Sequence, residues 1–91
     1  MSIQELFDII EDRRNNPTGK SYTSTLLADG LPTIAQKVGE EATEVIVAAL
    51  AQGDGRLVEE IADLTYHTLV LLAARGLTPA DVSAELERRH R

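Results

Sequence analysis

The sequence predicts an all-α protein, and three observations support that class. Apolar residues recur at intervals of three and four, which is the spacing of one helix face. Most glycines and prolines lie between the apolar segments, where they begin or end helices. No segment of the 91 residues has the pattern of a strand.

Two short helices are predicted in the first third of the chain. Ser2 and Glu5 have the spacing of a capping box, and the apolar period that follows predicts a first helix over Ile3 to Arg14. Asn15 to Lys20 contains a proline and a glycine and is expected to form a turn. A second helix is predicted from Ser21 to Ala28, closed by the glycine at position 30.

Two long helices follow, and they are the predicted core of the fold. Pro32 suits the first turn of the third helix, which ends near Gly53, where we expect a left-handed C-terminal cap. Asp54 is the predicted N-cap of the fourth helix, which runs to Arg75 and is closed by Gly76. Because the connection is short, we expect the two helices to form an antiparallel hairpin.

The last helix is predicted to begin at Thr78 and Pro79, an N-cap followed by a first-turn proline, and to continue to the C-terminus. Arg88, Arg89 and Arg91 lie near its end, where positive charge complements the helix dipole. Arg88 is also a candidate substrate-binding residue, since a phosphorylated ligand needs cations.

The predicted architecture is a single domain over residues 1–91, with a hairpin core of two long antiparallel helices and shorter flanking helices. The fourth helix is apolar around most of its circumference, which is typical of a helix buried in a bundle or against a second subunit. We therefore expect a four-helix-bundle-like fold that dimerisation completes.

Composition and charge narrow the possible functions. Nine lysines and arginines stand against 15 aspartates and glutamates, so a broad basic face for nucleic acid is excluded. The absence of cysteine excludes disulfides and thiolate metal sites and agrees with a reducing compartment. The N-terminal segment is acidic where a signal peptide would be basic, and no apolar run is long enough to span a membrane. We expect a cytoplasmic protein.

Charged residues interrupt the apolar faces of both long helices. Glu41 lies in the apolar stripe of the third helix, and Lys37 and Glu44 border that stripe. Glu60 and Asp63 lie within an apolar arc of the fourth helix. A single acidic residue on a helix is ordinarily solvated. Buried carboxylates without partners are costly, however, so two acidic pairs within apolar helix faces predict a bound cation.

The geometry of the hairpin brings these acids to one level. Glu41 and Glu44 lie roughly 13 Å before the turn, and Glu60 and Asp63 lie roughly 10 Å after it. Four carboxylates on facing helices can then converge on one point, as in the metal sites of helical bundles. Oxygen ligands alone favour Mg²⁺, with Mn²⁺ as a substitute, and Lys37 could meet a phosphate bound to that metal.

The same residues carry a family pattern. Residues 40–44 (EEATE) and 60–63 (EIAD) match the EExxE and ExxD signature of the all-α nucleotide pyrophosphohydrolases of MazG type. Within that group, residues 37–41 (KVGEE), 60–67 (EIADLTYH) and 21–23 (SYT) resemble the phosphoribosyl-ATP pyrophosphatase family. The resemblance covers nearly the whole chain.

The resemblance implies Mg²⁺-dependent hydrolysis of 1-(5-phosphoribosyl)-ATP to 1-(5-phosphoribosyl)-AMP and pyrophosphate, the second step of histidine biosynthesis. It implies a homodimer, and we expect a separate cyclohydrolase to act next. The metal ligands of the family correspond to Glu41, Glu44, Glu60 and Asp63. Glu40 is the candidate base or outer-shell ligand.

Other residues have expected roles around this centre. Lys37 would clamp the phosphates during catalysis. Ser21, Tyr22 and Thr23 could hold the phosphoribosyl end of the substrate, although they could equally form a helix cap. His67 is a candidate second-shell partner of Asp63, with a buried structural histidine as the plainer interpretation.

Two other functions remain open from the sequence. A MazG-type enzyme that hydrolyses noncanonical nucleoside triphosphates would share the metal site, although the segment at residues 21–23 and the pair Tyr66 and His67 favour the first function. A helical dimerisation or interaction module, whose acidic face binds a basic partner, would need no metal.

Overall fold

The computed structural model of the protein describes residues 1–90 and contains five helices in the predicted order. They are α1 (Ile3–Asn15), α2 (Tyr22–Asp29), α3 (Leu31–Ala51), α4 (Asp54–Ala74) and α5 (Pro79–Arg89). Residues 1–90 include no strand, which confirms the all-α class. The predicted dipole role of Arg91 lies outside the described residues. Within residues 1–90, no helix combines the length and the hydrophobicity that crossing a membrane requires.

The hairpin of α3 and α4 is the largest helix pair in the molecule, and only residues 52 and 53 join its two arms. Both α1 and α2 pack against this hairpin at the end away from its turn. The core lies there and is almost entirely aliphatic, as the small number of aromatic residues implies. Its buried members are Phe7, Ile10, Leu26, Ile34, Leu69, Val70 and Ala73.

Local sequence signals set most helix ends. The amide of Glu5 donates to Ser2 Oγ at 3.0 Å and the amide of Ser2 donates to Glu5 Oε1 at 3.3 Å, which confirms the capping box. Thr78 precedes α5 as predicted, and its amide donates to Asp81 Oδ2 at 2.8 Å. Gly76 has φ +71°, the left-handed conformation that closes α4.

The turn of the hairpin differs from the prediction in two ways. Gly53 was expected to be a left-handed C-terminal cap, but its φ is −83° and it is the N-cap of α4. Gln52 caps α3 instead, with φ −129° and ψ 174°. Both residues are extended, because a two-residue connection must leave one helix and enter the next directly. The prediction that Asp54 is the N-cap of α4 is therefore also wrong: Asp54 is the first residue of the helix, where an acidic side chain complements the positive end of the helix dipole.

Alanine substitutions at Gly76 and Gly39 should change the free energy of unfolding in opposite directions. Gly76→Ala should lower the free energy of unfolding by about 1–2 kcal/mol, because a Cβ at positive φ clashes with its own backbone. Gly39→Ala should raise it by about 0.5–1 kcal/mol, because alanine loses less entropy in a helix. A Cβ at Gly39 meets no atom within 4 Å. Urea unfolding followed by circular dichroism measures both, and equal effects would contradict the assignment of Gly76 as a left-handed cap.

Candidate metal centre

Three carboxylates from the two arms of the hairpin lie together. Glu41 comes from α3, and Glu60 and Asp63 come from α4, one turn apart. Each offers one oxygen, and these three oxygens lie within 4.8 Å of one another. The structure thus groups three of the four predicted ligands. The three acids lie at one level of the hairpin because Glu41 precedes the turn by about as many residues as Glu60 and Asp63 follow it.

The two glutamates of this cluster are buried and incompletely bonded. Glu41 is 6% exposed and Glu60 is 5% exposed. Oε2 of each is buried without a hydrogen-bond partner. A buried carboxylate oxygen without a partner is expensive, and three acids this close repel one another. The cluster therefore fits a divalent cation, and its all-oxygen donor set suits Mg²⁺ or Mn²⁺.

Lys37 lies one turn before Glu41 and contacts two acids. Its Nζ is 3.4 Å from Glu41 Oε1 and 3.5 Å from Glu40 Oε2. Partial burial lowers the pKa of Lys37, but the hydrogen bond to Glu41 and the other nearby acidic groups together outweigh that effect and raise the pKa. The ammonium group therefore stays charged beside the cluster.

Glu40 and Glu44 lie outside the three-residue cluster, and both are exposed. Glu40 accepts a hydrogen bond from Gln36 Nε2 at 3.0 Å, and this bond is the main reason that the pKa of Glu40 is lowered. Glu44 lines a cavity of about 230 Å³ together with Val47, Gln52, Arg56 and Glu60. Glu44 is thus beside the cluster and can approach it from that cavity.

Arg56 is a residue of the site that sequence reasoning missed. Its guanidinium forms an ion pair with Oε1 of the buried Glu60 and a second one with Glu59 at 2.7 Å. The spacing of four residues between Arg56 and Glu60 was the available signal, since such pairs meet on a helix surface.

His67 connects the turn of α4 that carries Asp63 to α2. Its Nδ1 is 2.7 Å from the main-chain oxygen of Asp63, and its Nε2 is 3.2 Å from the hydroxyl of Tyr22. Because a carbonyl oxygen only accepts, Nδ1 carries a proton and donates it. His67 is therefore a buried, hydrogen-bonded histidine that contacts the backbone of Asp63 rather than its carboxylate.

Comparison with known proteins identifies the family of the chain. The family model described as phosphoribosyl-ATP pyrophosphohydrolase matches residues 3–90. The chain belongs to this family. The match confirms the resemblance predicted from the sequence motifs.

Several curated relatives carry the name phosphoribosyl-ATP pyrophosphatase. The relative from Parvibaculum lavamentivorans is 53% identical over 87 residues, which cover 96% of this chain and 80% of the relative. The relative from Pyrobaculum calidifontis is 55% identical over 87 residues, covering 96% and 93%. The relative from Lacticaseibacillus casei is 50% identical over 88 residues, covering 97% and 80%.

Ser21, Tyr22 and Thr23, the candidates for binding the phosphoribosyl end of the substrate, differ from one another in burial and hydrogen bonding. Ser21 is the N-cap of α2 and accepts from the amide of Ser24 at 3.1 Å. Thr23 is buried and shares a hydrogen bond with the hydroxyl of Tyr66. Tyr22 is 54% exposed, so its side chain is the most accessible of the three.

Arg88 is paired within α5 and not with the carboxylates of the hairpin cluster. Its guanidinium donates to Glu85 on the same helix, with Nε 2.9 Å from Glu85 Oε1. The ion pair is exposed to solvent and spans one turn of α5. A substrate role for Arg88 stays a prediction.

Proposed function

We propose that the chain hydrolyses 1-(5-phosphoribosyl)-ATP to 1-(5-phosphoribosyl)-AMP and pyrophosphate, the second step of histidine biosynthesis. The observation that carries the proposal is the pair of buried glutamates, Glu41 and Glu60, each with one oxygen lacking a partner, in a chain that matches this family over residues 3–90. The proposed location is the cytoplasm, and the product is the substrate of the cyclohydrolase that acts next.

The chemistry is the addition of water to a phosphoanhydride. Water forms a bond to one phosphorus of the α–β phosphoanhydride, the bond from that phosphorus to the bridging oxygen breaks, 1-(5-phosphoribosyl)-AMP and pyrophosphate separate, and a proton is released. A divalent cation held by Glu41, Glu60 and Asp63, with Glu44 as a further candidate ligand, would neutralise phosphate charge and make water at the site more acidic.

Residues at the edge of the cluster would act on the substrate directly. The charged ammonium of Lys37, which lies beside Glu41, would bind the phosphates and stabilise the negative charge on the departing pyrophosphate. Glu40, the exposed acid next to Glu41, is the candidate general base or outer-shell ligand. Tyr22 is the accessible candidate for the phosphoribosyl end.

A homodimer is part of the proposal. Large apolar side chains are exposed on both arms of the hairpin near its turn, namely Ile46, Val47, Leu50, Val58 and Ile61. The helices α1 and α2 pack at the other end of the hairpin, around Ile34, Leu69 and Val70. A second copy of the chain would cover this apolar surface, as expected for a helical-bundle domain of this size.

Substrate comparison tests the proposed function. With Mg²⁺ present, pyrophosphate release from phosphoribosyl-ATP should exceed release from every member of a panel of canonical and noncanonical nucleoside triphosphates. An enzyme-coupled assay for pyrophosphate, run at matched substrate concentrations, measures the rates of release from phosphoribosyl-ATP and from each triphosphate. Faster turnover of the panel would instead assign a house-cleaning enzyme. No turnover, with no effect of Mg²⁺ or Mn²⁺ on thermal stability, would favour the interaction module.

A further inference from the structure

The two buried glutamates of the cluster share one arrangement. Each has a cation four residues earlier on its own helix, Lys37 for Glu41 and Arg56 for Glu60. In both pairs the cation contacts Oε1, and Oε2 is the oxygen without a partner. One oxygen of each carboxylate is thus occupied, and the other is available to the cluster.

Arg56 contacts two acids of its own helix at once. Its Nη2 contacts Glu60 and its Nη1 is 2.7 Å from the exposed carboxylate of Glu59. The side chain of Arg56 is 53% exposed, whereas that of Glu60 is 6% exposed. The guanidinium therefore reaches from the surface to a buried carboxylate, donating through Nη2 to Oε1 of Glu60 while Nη1 is paired with Glu59.

The occupied oxygen limits how Glu60 can bind a metal ion. With Oε1 accepting from Arg56 and Oε2 without a partner, Glu60 is biased toward binding a cation through Oε2 alone, because two-oxygen binding would turn Oε1 away from the guanidinium. Mg²⁺ requires a small octahedral shell and suits single-oxygen carboxylate ligands, whereas Ca²⁺ takes six to eight oxygens and readily binds a carboxylate through both. The cavity beside Arg56 and Glu60 gives Glu60 room to reorient if the guanidinium is removed.

We propose that Arg56 is a positioning residue that restricts Glu60 to one-oxygen coordination and thereby favours Mg²⁺ over Ca²⁺. The proposal rests on the proposed function, which places a divalent cation at this cluster. It concerns ion selectivity rather than affinity alone. Because Mg²⁺ and Ca²⁺ carry the same charge, losing the charge of Arg56 alters both affinities alike, and their ratio reports on coordination geometry.

The test is the ratio of Mg²⁺ to Ca²⁺ affinity. Each ion displaces bound Mn²⁺, and electron paramagnetic resonance monitors the Mn²⁺ that is released. In Arg56→Met, which keeps a long side chain without donors, the preference for Mg²⁺ should fall about tenfold, the size typical of losing a partner of a metal ligand. Arg56→Lys keeps a donor and should retain most of the preference. Arg89→Met removes an arginine of the exposed Glu85 ion pair and should leave the ratio unchanged.

The possible outcomes separate this inference from the proposed function. A ratio in Arg56→Met equal to that of the wild type would overturn the positioning role while leaving the metal site in place. Failure of the wild type to bind either ion would overturn both. If Arg56→Met does not fold, Glu59→Ala releases the second anchor of the guanidinium and should lower the ratio in the same direction, and an unchanged ratio there would also reject the role.

Discussion

Glu41→Gln should abolish pyrophosphate release from phosphoribosyl-ATP while leaving a folded helical protein. Glutamine has the shape of glutamate but carries no charge and presents an amide nitrogen where a metal ligand needs an oxygen lone pair. The loss should exceed about 100-fold, because removing even the partners of metal ligands costs 10- to 100-fold. The substitution also removes one charge from three crowded acids, so the free energy of unfolding without metal should not fall.

Two measurements check this result. Pyrophosphate release at saturating substrate and Mg²⁺ gives the activity, and circular dichroism gives the fold. Glu87→Gln, which makes the same chemical change at an exposed position on α5, is the matched control and should remain active. Retained activity in Glu41→Gln would refute its assignment as a ligand.

Mg²⁺ should stabilise the wild-type protein substantially. A ligand at 100 times its dissociation constant adds about 2.7 kcal/mol to the free energy of unfolding if it binds only the folded state. For a domain of this size that corresponds to a rise of about 10–20 °C in the midpoint of thermal unfolding. The physical cause is relief of the repulsion among Glu41, Glu60 and Asp63 and satisfaction of the two orphaned oxygens.

Differential scanning calorimetry with Mg²⁺ and then with excess chelator measures this stabilisation. Glu41→Gln supplies the control, because its rise should be much smaller than that of the wild type. An equal rise in the two proteins would mean that Mg²⁺ acts on dispersed surface acids rather than on this cluster.

The helices were largely predictable because their ends depend on local chemistry. The capping box at Ser2 and the left-handed Gly76 both involve residues within one turn of the helix end. The hairpin turn was predicted wrongly at Gly53, because its conformation follows from how closely α3 and α4 are joined and packed. A glycine after a helix is compatible with either a C-cap or an N-cap.

The acidic cluster was predictable for a similar reason, since the rise and period of a helix determine which residues come level in a hairpin. The separate positions of Glu44 and Arg56 depend on side-chain conformation and burial, which spacing does not determine. The contact between Tyr22 and His67 joins residues 45 positions apart, so it depends on how α2 packs on the hairpin.

The most direct measurement is the anomalous-difference map of a crystal grown with Mn²⁺. We expect a Mn²⁺ peak between α3 and α4, at bonding distance from carboxylate oxygens of Glu41, Glu60 and Asp63. Mn²⁺ bound elsewhere, with this cluster lacking a peak at saturating concentration, would contradict it.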